Sequence, residues 1–281
     1  MAQYEHVVIV GVGLLGGSIG MALRQRGLAE NVVGVGRNAE RLSLAVELGA
    51  VDSYSLDLVQ ACGQADLAVV CTPVQNVGQS VLDCLRNMHG GIVTDVGSTK
   101  ATICQQVAED DVLSSARFVG SHPLAGSEKV GVEHSDADLF TGRTCVVTPT
   151  EATSPSDTDR VRSLWQQLGS QVIEMDPQLH DAAIARTSHL PHVVSSALAA
   201  ATPSSVLQLA ASGWLDTTRI AAGSPDLWQQ IISENTEPVT EALKEYAAQL
   251  QSWIDAIESR DSAKIQALLE LGKQQRDSVG N

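Results

Sequence analysis

The sequence predicts an α/β fold in which a doubly wound parallel sheet is followed by an all-helical part. A strand-like run at 7–10 turns through glycines into a helix-like segment. Strand and helix patterns then alternate as far as about Asp176, and the strand signals stop after Pro177. Such alternation is typical of a parallel sheet with helices on both faces. We therefore expect a Rossmann-type unit at 1–176 and an all-helical unit at 177–281.

The predicted strands are short apolar runs. Runs such as LAVVC fit strands that are buried on both faces, as in a parallel sheet. Helix-like segments fall between them, for example at 77–86, 101–108 and 158–168. The strand candidates are 7–10, 32–35, 67–71, 92–95, 118–121, 145–148 and 172–174.

The first turn carries the sequence GVGLLG at 11–16, after a strand and at the start of a helix. This is the context in which a G-x-G-x-x-G motif indicates dinucleotide binding. Gly11 allows a tight turn, Gly13 lets a pyrophosphate approach the backbone, and Gly16 lets the helix pack close to the strand. The helix N-terminus offers free N–H groups to the phosphates. Leu14 and Leu15 complete the expected cofactor loop.

The end of the second strand predicts which dinucleotide is bound. An NAD-binding unit usually has an acidic residue about 20 residues past the glycines, and Gly36 stands there instead. No acid repels a 2′-phosphate, and the guanidinium of Arg37, followed by Asn38, can grip one. We therefore predict NADP, with NAD less favoured. The alternative is that Arg37 is only a solvated charge after a strand.

Composition limits the class of protein. The chain has 281 residues, of which 43% are hydrophobic, enough for a sizeable core in one large or two medium domains. Eighteen Lys and Arg residues stand against 33 Asp and Glu residues, a net charge of −15. We predict no nucleic-acid partner, because such a partner requires a basic face. An anionic substrate is still compatible, since local cations can dominate one cleft.

Cysteine usage and the lack of targeting signals predict a cytoplasmic protein. The five cysteines show no C-x-x-C spacing and lie largely in apolar runs, which is typical of reduced core residues. No signal-peptide pattern precedes the first strand. The longest apolar region, 190–209, is interrupted by polar residues and fails as a membrane span. We predict a buried helix there.

The helical part is rich in Ala, Leu and Gln. Ser224 followed by Pro225 is typical of a helix start, and Asp261 or Ser262 can cap the last helix. So many apolar positions on helices predict burial against a second copy of the chain. We therefore expect a homodimer through this part.

Polar residues follow three of the predicted strands. Thr72 and Pro73 follow the run at 67–71, Ser98 follows the run at 92–95, and His122 follows the run at 118–121. Ligands of open α/β sheets bind beyond the carboxyl ends of the strands, so these side chains should converge near the nicotinamide. A histidine there is a natural acid–base group, although it can also be a satisfied core residue.

The helical part adds a cluster from His180-Asp181 to His189 and His192, and a second cluster around Arg219. Arg219 is the only Lys or Arg between 186 and 244. A lone guanidinium among apolar residues favours binding of an anion or of an internal acid such as Asp216, three residues earlier. His189 and His192 have a metal-like spacing without an evident third ligand, so we predict no metal.

Several motifs together resemble the prephenate/arogenate dehydrogenase family. They are GVGLLGGS at 11–18, DVGSTK at 95–100, GSHPLAGSE at 120–128, SHLPH at 188–192, DTTRIA at 216–221 and SPDLW at 224–228. The resemblance implies a step of tyrosine biosynthesis, the oxidative decarboxylation of prephenate to 4-hydroxyphenylpyruvate or of arogenate to tyrosine. It also implies hydride transfer to a nicotinamide cofactor and a helical dimerisation domain.

The resemblance further implies roles for the residues at the sheet edge. His122 acts on the substrate hydroxyl as general base or as polarising partner, and Ser98 hydrogen-bonds both that histidine and the substrate. His189 positions the substrate together with Ser127 and Glu128 at the mouth of the cleft.

The resemblance implies that Arg219 clamps a substrate carboxylate, and Asp216, from its spacing, can orient the guanidinium. Many relatives carry Lys or Arg directly before that aspartate, where this chain has Leu215. One cation fewer mildly favours arogenate over the more negative prephenate.

Two alternative functions remain for the chain. A β-hydroxyacid or imine reductase needs a lysine in the helical part, where none precedes Lys244. A non-catalytic NADP-sensing protein needs no convergence of His122 with Arg219.

Overall fold

A single eight-stranded sheet forms the first part of the chain in the computed structural model, which describes residues 2–110, 117–126 and 129–280. The strand order across the sheet is β3-β2-β1-β4-β5-β6-β7-β8. The strands are β1 (Tyr4–Val10), β2 (Ala29–Val35), β3 (Ser53–Ser55), β4 (Leu67–Val70), β5 (Ile92–Asp95), β6 (Phe118–Pro123), β7 (Thr144–Thr148) and β8 (Gln171–Glu174).

The predicted doubly wound sheet is confirmed, with two differences. From β3 to β6 all neighbouring strands are parallel, whereas β7 runs antiparallel to β6 and β8 runs parallel to β7. Among the described residues between β6 and β7 there is only a short 3₁₀ turn, Val132–His134, and no long crossover helix of the kind that links parallel strands. Strand β3 is not among the predicted strands, because its residues SYS lack the apolar pattern of a buried strand.

In the described part of the chain, six α-helices cover the sheet on both faces. Because successive strand residues point to opposite faces, Ile9 and Val69 join the core on one face, while Val8 and Val70 join the core on the other. The helices are α1 (Leu14–Gln25), α2 (Ala39–Glu47), α3 (Leu58–Cys62), α4 (Val74–Asn87), α5 (Ala101–Ala108) and α6 (Pro155–Gln167). The cysteines 62, 84, 104 and 145 are free and buried, as predicted, and Cys71 is free and half-buried.

Only helices and turns follow β8 in the described chain. The domain boundary at 176/177 stays a prediction. The elements are α7 (Pro177–Ile184), a π-helical turn (Ala185–His189), α8 (Leu190–Ala201), α9 (Ser212–Thr218), α10 (Pro225–Glu234), α11 (Thr236–Glu258) and α12 (Ser262–Ser278), with 3₁₀ turns at Ser204–Leu209 and Arg219–Ala222. The predicted caps are confirmed: Ser224 accepts a hydrogen bond from Leu227 N–H, and Asp261 from Lys264 N–H.

The expectation of one buried helix at 190–209 is wrong for the single chain. The helix ends at Ala201, and Pro203, whose ring excludes it from a helix interior, precedes a 3₁₀ turn. Leu198 is 39% exposed and Leu209 77%. Further apolar residues on later helices are also exposed, including Leu215, Leu243, Leu250, Ile254, Ile257, Leu269 and Leu271. No helix in the described part of the chain has the length and apolar character of a membrane span.

A buried ion pair joins β5 to the start of α5. Lys100 and Asp95 are both fully buried, and the Lys100 ammonium donates to the Asp95 carboxylate and, over 3.0 Å, to the Ser121 carbonyl oxygen. The same carboxylate accepts the N–H groups of Gly97 at 2.8 Å and Ser121 at 3.1 Å. Two desolvated charges persist here because each is paired and hydrogen-bonded.

Lys100→Met tests this pair, because methionine fills similar space and removes only the cation. The Asp95 carboxylate then remains buried without a counter-charge, so we expect the free energy of unfolding to fall by about 3–5 kcal/mol. Urea denaturation measures the change. The matched control is Lys273→Met, where the lysine is 74% exposed beside Asp277 and about 0–1 kcal/mol is expected. Equal losses in the two variants would show that the buried pair has no special role.

Candidate active site

The glycine loop has the shape that a dinucleotide requires. Gly11 adopts φ +96°, and a Cβ there would lie 2.7 Å from the Cys71 carbonyl oxygen. A Cβ on Gly16 would lie 2.2 Å from the Gly11 carbonyl oxygen, so both positions require glycine. At Gly13 a Cβ would meet no atom within 4 Å. The space in front of α1 is therefore open, and Leu14 begins the helix without a side-chain cap.

The free N–H groups at the start of α1 thus fit the phosphates of a nicotinamide dinucleotide. At the end of β2, a Cβ on Gly36 would meet only the Leu42 side chain, at 3.5 Å. The space beside Gly36 is therefore not blocked by backbone. Arg37 is exposed, and Asn38 caps α2 by accepting a hydrogen bond from Arg41 N–H at 3.0 Å. The Asn38 side chain therefore has a structural role, which the assignment to the cofactor did not foresee.

The residues after β4, β5 and β6 lie on neighbouring strand ends, as the sequence analysis expected. Thr72 is half-buried, with its hydroxyl 3.4 Å from that of Ser80, and Pro73 directly precedes α4. Ser98 is half-buried in the loop between β5 and α5, and His122 lies on β6. In the described chain Ser98 has no hydrogen bond to His122, contrary to the partnership that the resemblance implies.

His122 is instead hydrogen-bonded to a second histidine. Its Nδ1 lies 2.9 Å from Nε2 of His180, a buried residue of α7. Nδ1 of His180 lies 2.7 Å from Oδ1 of Asp181. The Asp181 carboxylate also accepts the N–H groups of Lys100 at 2.8 Å and Ala101 at 2.9 Å. One carboxylate therefore caps α5 and holds the histidine pair.

The electrostatic surroundings keep the His122 ring neutral. Burial lowers the pKa of His122 well below its usual range, and electrostatic interactions with His180, Lys100 and His189 lower it further. A neutral imidazole has one unprotonated nitrogen and can accept a proton. The arrangement is therefore suited to a general base.

His189 is a buried residue of the π-helical turn and belongs to the same network. The amide Nδ2 of Asn235 lies 3.1 Å from Nδ1 of His189 and donates to the Asp181 carbonyl oxygen over 2.9 Å. Burial lowers the pKa of His189 to about 4. The His189 ring contacts Trp228 edge-to-face, and His192 stacks on the same indole with ring centroids 3.3 Å apart.

Arg219 lies near this cluster but outside the hydrogen-bonded network. The Arg219 charge lowers the pKa of His192, after the larger effect of burial. Arg219 and Asp216 are both exposed, and within the described residues no ion pair joins them.

Ser127 and Glu128, the other predicted substrate-binding residues, fall outside the described residues. No metal-binding group of three or more ligand side chains occurs in the part of the chain that the structure describes.

Sequence reasoning missed the residues that support His122. His180 and Asp181 were noted only as the start of a polar cluster, and Asn235 and Lys100 carried no signal for this role. Fifty-eight positions separate His122 from its partner His180. Only the adjacent histidine and aspartate at 180–181 could have hinted at an oriented imidazole.

Comparison with known proteins agrees with this architecture. The family description "Prephenate dehydrogenase, nucleotide-binding domain" matches residues 19–174, and "Prephenate dehydrogenase, dimerization domain" matches residues 176–271. The first match begins after the glycine loop, so the reading of that loop rests on its own residues. The chain is 30% identical to cyclohexadienyl dehydrogenase of Zymomonas mobilis, over 93% of this chain and 91% of that protein.

Two solved structures are similar along almost their whole length. The prephenate dehydrogenase of Aquifex aeolicus, in complex with hydroxyphenyl propionate and NAD⁺, has 30% identity and a TM-score of 0.89, covering 97% of this chain and 98% of that one. The arogenate dehydrogenase of Synechocystis has 31% identity and a TM-score of 0.85, covering 98% and 99%. With its two parts matched by the two family descriptions, the chain belongs to the prephenate dehydrogenase family.

Proposed function

We propose that this chain catalyses the oxidative decarboxylation of prephenate or arogenate with hydride transfer to NADP. The observation that carries the proposal is the neutral, hydrogen-bonded His122 on β6, in a sheet that begins with an open glycine loop. Relatives whose names specify prephenate, cyclohexadienyl and arogenate dehydrogenases support the substrate class. A β-hydroxyacid or imine reductase and a non-catalytic NADP sensor have less support, because neither predicts both family matches.

The reaction requires a proton acceptor at the ring hydroxyl of the substrate. His122 takes that proton as the hydroxyl becomes a carbonyl, because its lowered pKa leaves the ring unprotonated at neutral pH. A bound nicotinamide would supply the acceptor for the hydride that leaves the ring carbon bearing this hydroxyl. The ring carboxylate then leaves as carbon dioxide. The electron pair of the broken C–C bond makes the ring aromatic and turns the carbonyl into a phenolate, which takes back the proton held by His122. Ser98 and His189 hold the substrate in this position, with Ser127 and Glu128 at the cleft mouth.

The turnover experiment pairs prephenate or arogenate with NADP or NAD and follows nicotinamide reduction by absorbance. We expect turnover with NADP and at least one of the two substrates. His122→Asn is the control, and its turnover should fall by about 10²–10⁴-fold while NADP binding survives. Absence of turnover in every pairing, or full activity of His122→Asn, would contradict the proposal.

The cofactor preference follows from the end of β2. Gly36 offers no acid to repel a 2′-phosphate, and Arg37 is exposed beside it, free to reach a bound phosphate. The Aquifex aeolicus structure contains NAD⁺, so within the family the choice between NADP and NAD rests on this chain's own residues.

Gly36→Asp tests the preference, because a carboxylate there repels the 2′-phosphate and can bond a ribose hydroxyl. We expect the ratio of kcat/KM for NADP over NAD to fall by at least tenfold. The nearest side chain, Leu42, would lie 3.5 Å from the new Cβ, so the variant should fold normally. Gly36→Ala is the matched control and should keep the wild-type ratio. An unchanged ratio in Gly36→Asp would refute this reading.

Arg219 is proposed to bind a substrate carboxylate, with Asp216 orienting the guanidinium. Arg219 is exposed in the single chain, and a charge-assisted contact of this kind contributes about 1.5–3 kcal/mol. Leu215, 55% exposed before Asp216, adds no second cation, which favours arogenate.

For Arg219→Ala we expect KM for the substrate to rise by about 10- to 100-fold, with a smaller change in kcat. Steady-state kinetics at saturating cofactor measure both constants. Arg276→Ala, at the exposed end of α12, removes the same charge elsewhere and should leave KM unaltered. A wild-type KM in Arg219→Ala would exclude the clamp.

The same proposal includes a homodimer and a cytoplasmic location. The matched description of residues 176–271 names a dimerization domain, and apolar residues of α8, α11 and α12 are exposed in the single chain. Packing of those side chains against a second copy of the chain removes apolar surface from water. Five free cysteines are typical of a reducing compartment.

A further inference from the structure

A general base at His122 requires that the correct ring nitrogen be unprotonated. A neutral imidazole carries its proton on either Nδ1 or Nε2, and the hydrogen-bond partner decides which. The structure supplies such partners for both His122 and His189. All of them lead to one residue, Asp181.

The chain of bonds to His122 begins with the Asp181 carboxylate. Its oxygens accept from Lys100 N–H and Ala101 N–H and face Nδ1 of His180 at 2.7 Å. The carboxylate oxygen requires a proton on Nδ1 of His180, and when the ring carries only this one proton its Nε2 is unprotonated. Nε2 of His180 lies 2.9 Å from Nδ1 of His122 and then accepts a hydrogen bond from the Nδ1–H group of His122. The lone pair of His122 is therefore on Nε2.

The bonds to His189 lead to the opposite result. Asn235 donates through Nδ2 to the Asp181 carbonyl oxygen, which can only accept, and this fixes the amide orientation. The same NH₂ group lies 3.1 Å from Nδ1 of His189. That nitrogen therefore accepts, and the proton of the neutral ring is on Nε2. The buried Asn235 is 2% exposed, so water does not easily replace its contacts.

We propose that Asp181, acting through His180 and Asn235, fixes opposite tautomers of two active-site histidines, so that His122 presents a proton acceptor and His189 a proton donor. His180 and Asn235 are positioning residues. The proposal rests on the proposed function only for the use of the two nitrogens in catalysis. The tautomers themselves follow from contacts within the chain. Lowered pKa values keep both rings neutral, as the assignment requires.

The tautomers can be measured without substrate. Selective ¹⁵N labelling of the seven histidines and long-range proton–nitrogen correlation spectra identify the protonated nitrogen in each ring. His122→Asn and His189→Asn assign the two sets of signals. We expect a proton on Nδ1 of His122 and on Nε2 of His189. The reverse pattern at either ring would overturn the proposal.

Two variants of His180 separate positioning from packing. His180→Phe keeps an aromatic ring and removes both hydrogen bonds, so His122 loses its fixed tautomer. We expect kcat to fall by about 10- to 100-fold, with KM and NADP affinity nearly unchanged. Glutamine can accept from His122 through Oε1 and donate to Asp181 through Nε2. His180→Gln should therefore restore both the spectrum and most of the turnover.

Asn235→Leu provides an independent test at the second ring. Leucine has a similar volume and no donor, so the ¹⁵N pattern of His189 should change while that of His122 is retained. The positioning role would be overturned if His180→Phe kept both the wild-type His122 spectrum and the wild-type turnover. It would also be overturned if His180→Phe and His180→Gln lost turnover equally while their His122 spectra stayed unaltered. If His180→Phe does not fold, the wild-type spectrum and His180→Gln decide. Absence of turnover in the wild type would refute the proposed function and leave the spectra as the test of the tautomers.

Discussion

The carboxylate of Asp181 ties the helical part of the chain to the sheet. Its oxygens accept the first N–H groups of α5, and its neighbour His180 bonds the ring of His122 on β6. Its carbonyl oxygen holds Asn235, between α10 and α11, which in turn contacts His189. A shift of α7 relative to the sheet would break several of these bonds at once. The contacts of His122 and His189 therefore depend on how the helical part packs against the sheet.

Five buried residues beneath the site form one hydrogen-bonded network: Thr94, Asp95, Lys100, Ser121 and Trp165. Thr94 and Trp165 both bond the Ser121 hydroxyl, which donates to the Asp95 carbonyl oxygen over 2.6 Å. Lys100 neutralises the Asp95 carboxylate. Unpaired, such groups would each cost free energy on burial, whereas a complete network holds its members rigidly. Ser121 directly precedes His122, so this rigidity is transmitted to the base by the backbone of β6.

The helical part shows a different balance. Its inner residues, such as His189 and Asn235, are buried within one chain, whereas apolar side chains of α11 and α12 remain exposed. Arg219 also lies at the surface of the single chain. The proposed homodimer accounts for the apolar surface, because association removes it from water. The proposed homodimer also accounts for the region at 190–209, whose apolar sequence predicts burial although the single chain exposes Leu198 and Leu209.

The sequence by itself determined the elements that depend on local chemistry: the glycine loop, the apolar strands of the sheet, and the caps at Ser224 and Asp261. It also placed His122 at a strand end, because parallel strands share one functional edge. It did not reveal β3, whose polar residues carry no burial pattern, or the reversed β7. Only the tertiary structure decided that His180, fifty-eight positions away, holds the base. Hydrogen bonds between distant residues depend on how helices dock on a sheet, and local sequence patterns do not encode that docking.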